Sequence, residues 1–126
     1  MHKSELNELV EAWIVAQEKW DNGSAPAENP LAIEKVMDWD LAGDHELLWQ
    51  FILTAYNHDL SAKVKAVLAA GPLEDLLANY GRDYIDQVEK LAQEDQNFNI
   101  LLGGVWRNSI EDDVWQRIEA VRKEIW

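Results

Sequence analysis

Chemistry needs titratable or nucleophilic side chains at spacings that bring them together, and this 126-residue chain offers few such places. His45-Glu46 begins the pattern of a zinc-protease helix, two histidines four apart with a glutamate beside the first. The fifth position, however, is Trp49. His45, Glu46, His58 and Asp59 together have the residue types of a metal-dependent phosphohydrolase. On one helix, a rise of ~1.5 Å per residue would set the two histidines about 20 Å apart, too far to share an ion. Their ordinary reading is as surface histidines at the ends of a helix. Glu74-Asp75 could serve as paired carboxylates, yet adjacent helix positions point about 100° apart and do not face one another. A first-turn role, favourable to the helix dipole, accounts for them more simply. Ser24, Ser61 and Ser109 have no Gly-x-Ser-x-Gly context, and the six glycines never form a phosphate-cradling loop. With no cysteine, thiolate chemistry and thiolate metal sites are excluded. The reading therefore assigns no catalytic, metal or cofactor-binding residue and expects no cofactor.

The elements that would position these groups are helical. Ser4 is a candidate cap for a helix carrying Leu6, Leu9, Val10, Trp13, Ala16 and Trp20 on one face. Residues 21–30, with Gly23, Pro26 and Pro30, read as a surface loop. A short helix through Ile33, Val36 and Met37 should end near Gly43 in the left-handed conformation. The stretch from His45 to Asn57 is apolar almost all round, as a central helix must be. Ser61 can cap the next helix, and Gly71-Pro72 should interrupt it, because proline removes a backbone donor. Pro72 then begins a helix that Gly81 closes, and another carries Tyr84, Ile85, Val88 and Leu91. Asp95 to Asn97 breaks that run before a buried segment around Phe98. Gly103-Gly104 reads as a packing contact or bend. Ser109-Ile110-Glu111-Asp112 resembles a capping box for a last helix with the stripe Ile110, Val114, Ile118, Val121 and Ile125. With no strand alternation, the expectation is an all-α single domain, 1–126, of seven or eight short helices packed as antiparallel pairs, bundle-like or a short α-solenoid.

Acids outnumber bases by 24 to 11, a net charge of −13 spread along the chain rather than gathered in a tail. Such a surface repels nucleic acid and anionic membranes and speeds encounter with a basic partner, although acidity also serves solubility. The polar N-terminus and the absence of a long apolar run predict a cytoplasmic protein. Seven tryptophans are many for this length. Trp13 and Trp20 fit the core face of the first helix. Trp39, Trp115 and Trp126 lie off the clearest apolar stripes, and partly exposed aromatics rimmed by acids are typical binding anchors.

Ala69-Ala70-Gly71-Pro72-Leu73-Glu74-Asp75-Leu76-Leu77, then Gly81, Ile85-Asp86, Gly104-Val105-Trp106-Arg107-Asn108 and Val114-Trp115, occur in an order that resembles an uncharacterised bacterial family, a domain of unknown function. The likeness covers roughly His45 to Arg117, leaving 1–44 as a variable part. It implies a bacterial source and a helical fold but no activity. It directs attention to Gly71, Pro72, Glu74, Asp75, Trp106, Asn108 and Trp115. Their structural reading is a Gly-Pro helix junction, acids that cap it and tryptophans packed across it. The functional expectation is a non-enzymatic acidic module that masks a basic partner protein, in the manner of a bacterial toxin's immunity protein. Candidate contact residues are Glu74, Asp75, Glu111, Asp112, Asp113, Trp39 and Trp115. The alternatives are a small hydrolase using helix-borne carboxylates and a divalent metal, and a homodimeric structural adaptor.

Overall fold

Proline inside a helix normally breaks it, because the ring collides with the carbonyl four residues back and the donor is missing. Here the helix widens instead. In the computed structural model, which describes residues 2–19 and 31–126, α4 (Ala62–Leu68) runs through a π-helical turn, Ala69–Leu73, directly into α5 (Glu74–Glu94). Leu68, Leu73 and Glu74 all keep right-handed helical geometry. A π-turn shifts the hydrogen-bond partner by one residue and makes room for Pro72, which is itself buried. Gly71, which has no Cβ to meet the proline ring, completes the accommodation. The expected break at Gly71-Pro72 is thus corrected to a continuous bulged helix. Gly81 does not end a helix either. It lies inside α5 just after a kink at Tyr80 (φ −135°), where its missing side chain admits Val114.

Around this long element stand α1 (Lys3–Lys19), α2 (Leu31–Ala42), α3 (His45–Ala55), α6 (Gln96–Leu102) and α7 (Asp112–Val121). The described residues form an all-α single compact domain with no strand. Fusion of α4 and α5 makes the count slightly lower than seven or eight separate helices. Trp20 and the loop over 21–30 lie outside the described residues. α1 begins ahead of Ser4: the Leu6 amide donates to the His2 carbonyl and the Ser4 amide to His2 Nδ1. Ser61 caps α4 as its residue type suggests, accepting from the Val64 amide at 3.2 Å. Asp95 caps α6, and its other oxygen accepts from Tyr56 Oη at 2.8 Å. Burial first, then this bond, pushes the Tyr56 hydroxyl up to about 12. Gly43 takes φ +80°, ending α2 in the left-handed geometry that glycine adopts without strain.

The core is one cluster centred on α3 and α5. Phe51 meets the edges of Trp13 and Trp39, and a second aromatic series runs Tyr80, His45, Tyr84, Trp49, Phe98, Tyr56. Trp39 is therefore buried (6% exposed), correcting its reading as an exposed anchor. The buried stripe of α2 is Ile33, Val36 and Trp39, and Met37 faces out. α7 is tied to α5 by Arg117, which donates to Glu89 at 3.1 Å and to Asp86 at 2.7 Å. Hydrogen bonding to Arg117 holds the Glu89 carboxyl below its ordinary range.

The last helix is shorter than its stripe suggests. Glu111, not Ser109, occupies the N-cap, without a side-chain cap bond, and Arg122 turns extended, so Ile125 lies out in solvent. The tail instead straps across α6. Trp126 donates its amide to the Gly103 carbonyl (3.1 Å) and Nε1–H to the Ile100 carbonyl (2.6 Å). Buried Asn99 bonds the Ala92 and Val121 carbonyls and the Lys123 amide. The two glycines make this possible: a Cβ on Gly103 would land on the Glu124 carbonyl oxygen, and one on Gly104 would meet the Trp126 ring. Gly103→Ala should therefore cost about 2 kcal/mol by forcing the strap away. Urea unfolding checks this, and in a chain ended after Arg122 the same substitution should cost markedly less.

Candidate functional site

The π-turn delivers two adjacent carboxylates to two different environments, because successive helical residues diverge by about 100°. Glu74 points inward and is buried. Its Oε1 accepts from the Trp106 amide at 3.0 Å and its Oε2 from Asn108 Nδ2 at 2.7 Å. The two segments that carried the family resemblance, 32 to 34 residues apart, are thus joined by one side chain. Glu74 does not cap a helix start, since α4 and α5 are continuous. It latches a turn. Asn108 supports the latch from its backbone as well, holding φ +38°, a left-handed geometry that asparagine tolerates better than most residues. The turn presents Trp106 outward, 66% exposed, so its indole does not pack across a junction as the sequence suggested; only its amide is structural.

Asp75 faces the other way, into a groove between α1, α2 and the π-turn. The groove encloses about 260 Å³ and is lined by Trp13, Ile33, Val36, Leu48, Val67 and Pro72. Met37 (59% exposed) and Leu41 (82% exposed) form its apolar lip. Asp40 also lines it and accepts from Asn79 Nδ2 at 3.3 Å. Burial, then the charges of Asp40 and Glu74, raises the Asp75 carboxyl to about 6. Gln17 lines the groove too, from α1, 8% exposed.

The remaining sequence candidates are dispersed. Glu111 pairs with Arg82 at 2.6 Å, Asp113 with the same arginine at 3.5 Å, and Asp112 with Arg107, so this acidic run is exposed but partly neutralised. Trp115 is half-buried beneath Arg122, whose guanidinium carbon lies 4.6 Å from the ring centroid. His45 is not a surface histidine: its Nδ1 shares a 2.7 Å hydrogen bond with Tyr84 Oη and its ring stacks on Tyr80. His58 and Asp59 line a separate cavity with Tyr56 and Lys65. Among the described residues no three His, Asp or Glu side chains are grouped as metal ligands. None of the described helices is long and apolar enough to cross a membrane.

Sequence reasoning found Asp75 but missed Gln17, Asp40 and the exposure of Trp106. The available signal was in α2, where Met37 and Leu41 stand four apart, exposed beside the buried stripe of Ile33, Val36 and Trp39. Two outcomes test the geometry. Glu74→Ala should cost about 2 kcal/mol, and Asn108→Asp, which keeps the backbone preference but sets a second carboxylate against Glu74, should cost more than Asn108→Gly; equal stabilities in urea would contradict the latch. For Asp75, a folded pKa above the unfolded one means that the folded state binds the extra proton. Stability is then lost as pH rises from about 4 through about 6. Discounted for its partial exposure, Asp75→Asn should gain on the order of 1 kcal/mol at pH 7.5 and nothing near pH 4.

The chain matches no curated protein and no solved structure. A family model does match residues 21–125, extending beyond the stretch from His45 to Arg117 to take in α2 and most of the C-terminal strap, while Trp13 and Gln17 of the groove lie ahead of it. With its Glu74 latch inside that span, the chain belongs to DUF6869, described as a family of unknown function.

Proposed function

We propose that this protein is a non-enzymatic binding module that masks a basic partner protein in the bacterial cytoplasm, in the manner of a toxin's immunity protein. The observation that carries this reading is the groove beside Asp75: an apolar trough with an exposed Met37 and Leu41 lip and two carboxylates, on a protein of net charge −13. An apolar surface supplies affinity by excluding water, while a field of one sign steers and selects an oppositely charged partner. Trp106, held rigidly outward on its latched turn, is a second anchor for the same kind of contact. Glu111, Asp112 and Asp113, partly neutralised by Arg82 and Arg107, add less to the long-range field than unpaired acids do.

A tagged pull-down from bacterial lysate at low and high salt tests the reading. The expected result is one stoichiometric basic protein released by salt, with capture reduced at least several-fold by Met37→Glu or Leu41→Ser. Both side chains are exposed, so unfolding free energies should stay within about 0.5 kcal/mol of wild type. Recovery of the bait alone at both salts would refute the masking role.

A further inference from the structure

We propose that the cavity between α1, α2 and the π-turn is the receptor for an arginine side chain of the basic partner, whose guanidinium meets Asp75, Asp40 and the amide of Gln17. This rests on the masking reading above and names the chemistry that the groove recognises.

Gln17 carries the first part of the argument. Its side chain is more than nine-tenths buried, lines the cavity, and makes no hydrogen bond among the described residues. Its amide stays accessible rather than sealed within the protein, free to hydrogen-bond a group that enters the cavity. The second part is Asp75, which likewise has no hydrogen-bond or ion-pair partner among the described residues. Its situation contrasts with that of Glu74 beside it, which is satisfied by two donors. Asp40 is satisfied in part, through one bond at Oδ1. Two carboxylates and an amide oxygen form an acceptor set, and among the described residues the groove's lining holds no lysine, arginine or histidine.

The walls decide which cation fits. Trp13, Ile33, Val36 and Leu48 are apolar, which suits the methylene stem of a long side chain passing through to a charged tip. At about 260 Å³ the cavity falls just below the ~300–1,000 Å³ typical of small-molecule sites and is suited to one long side chain. Acceptors from two carboxylates and an amide match a planar guanidinium, with five donors in a fixed fork and weak hydration, better than a compact, strongly hydrated ammonium. The raised pKa of Asp75 agrees with a carboxylate whose charge lacks a counterpart until the partner arrives.

The test titrates the full-length protein, at low salt and neutral pH, with the blocked tripeptide acetyl-Leu-Arg-Leu-amide and with its citrulline counterpart, which is nearly isosteric but uncharged. Two-dimensional NMR reads the site. The arginine peptide should saturably shift the Gln17 side-chain amide and the backbone amides of Gly71 and Asp75. Citrulline in place of arginine, or Asp75→Asn in the protein, should each weaken binding about tenfold, the loss expected for one charge-assisted contact. Gln17→Leu should weaken it as well. Equal binding of the two peptides, shifts confined to another face, or no saturable shift would overturn the assignment. Failure of this proposal is separable from failure of the masking role. Salt-sensitive capture of a basic protein that is unchanged by Asp75→Asn and Gln17→Leu would remove the arginine pocket and leave masking intact. Absence of any such capture by the wild type would remove masking, and the peptide titration would then judge the pocket by itself.

Discussion

A single buried carboxylate ties the π-turn to the turn over 105–110. Glu74 sits where a proline-tolerant π-turn feeds into the longest helix, and its two oxygens are taken up by the Trp106 amide and the Asn108 side chain. A buried acid left without donors would cost several kcal/mol, so the position of the turn over 105–110 follows from the position of the bulge. The same bulge reaches the chain's end: Ala69 lies beside Gly104, which also receives the Trp126 ring, and Arg122 donates to the Val105 carbonyl. Bulge, turn and C-terminal strap are thus one packed unit on one side of the molecule.

Where Glu74 is taken up by the latch, the side chain of its neighbour Asp75 has no hydrogen-bond or ion-pair partner among the described residues. Glu74 and Asp75 are adjacent in sequence and chemically similar, yet a 100° step around the helix separates a satisfied acid from an unsatisfied one. Most of the other acids singled out in the sequence have arginines at hand, with Glu111, Asp112 and Asp113 paired to Arg82 and Arg107. Asp75 and Asp40 set two of the remaining negative charges in a trough whose walls are apolar. That combination is the ground of the proposed masking role, in which the ligand is both basic and partly apolar.

Helix periodicity made most of the fold legible. The stripe of α1, the all-round apolarity of α3, the Ser61 cap and the left-handed Gly43 follow from side-chain spacing and local backbone preference, and the structure has each of them. The proline rule misled at Pro72, because a break and a π-bulge satisfy the same local constraint and only tertiary packing selects between them. Periodicity misled after Val121, where Ile125 continues an apolar stripe that the backbone abandons so that Trp126 can reach Gly103 and Ile100. At the site, the sequence marked Glu74, Asp75, Trp106 and Asn108 without showing that three of them form one hydrogen-bonded unit and that Asp75 belongs to another. Gln17 and Asp40 had no local signal, since their roles arise only when α1 and α2 close on the bulge.

The amide of Trp106 offers the most direct test of the latch. Its indole is exposed and it lies outside any helix, so by position alone its N–H should exchange with solvent nearly as fast as a free loop amide. If Glu74 accepts that hydrogen in a buried bond, native-state hydrogen exchange should show Trp106 protected to nearly the level of the α5 core, and Glu74→Gln should lower that protection. Fast exchange at Trp106 while the α5 core stays protected would contradict the account.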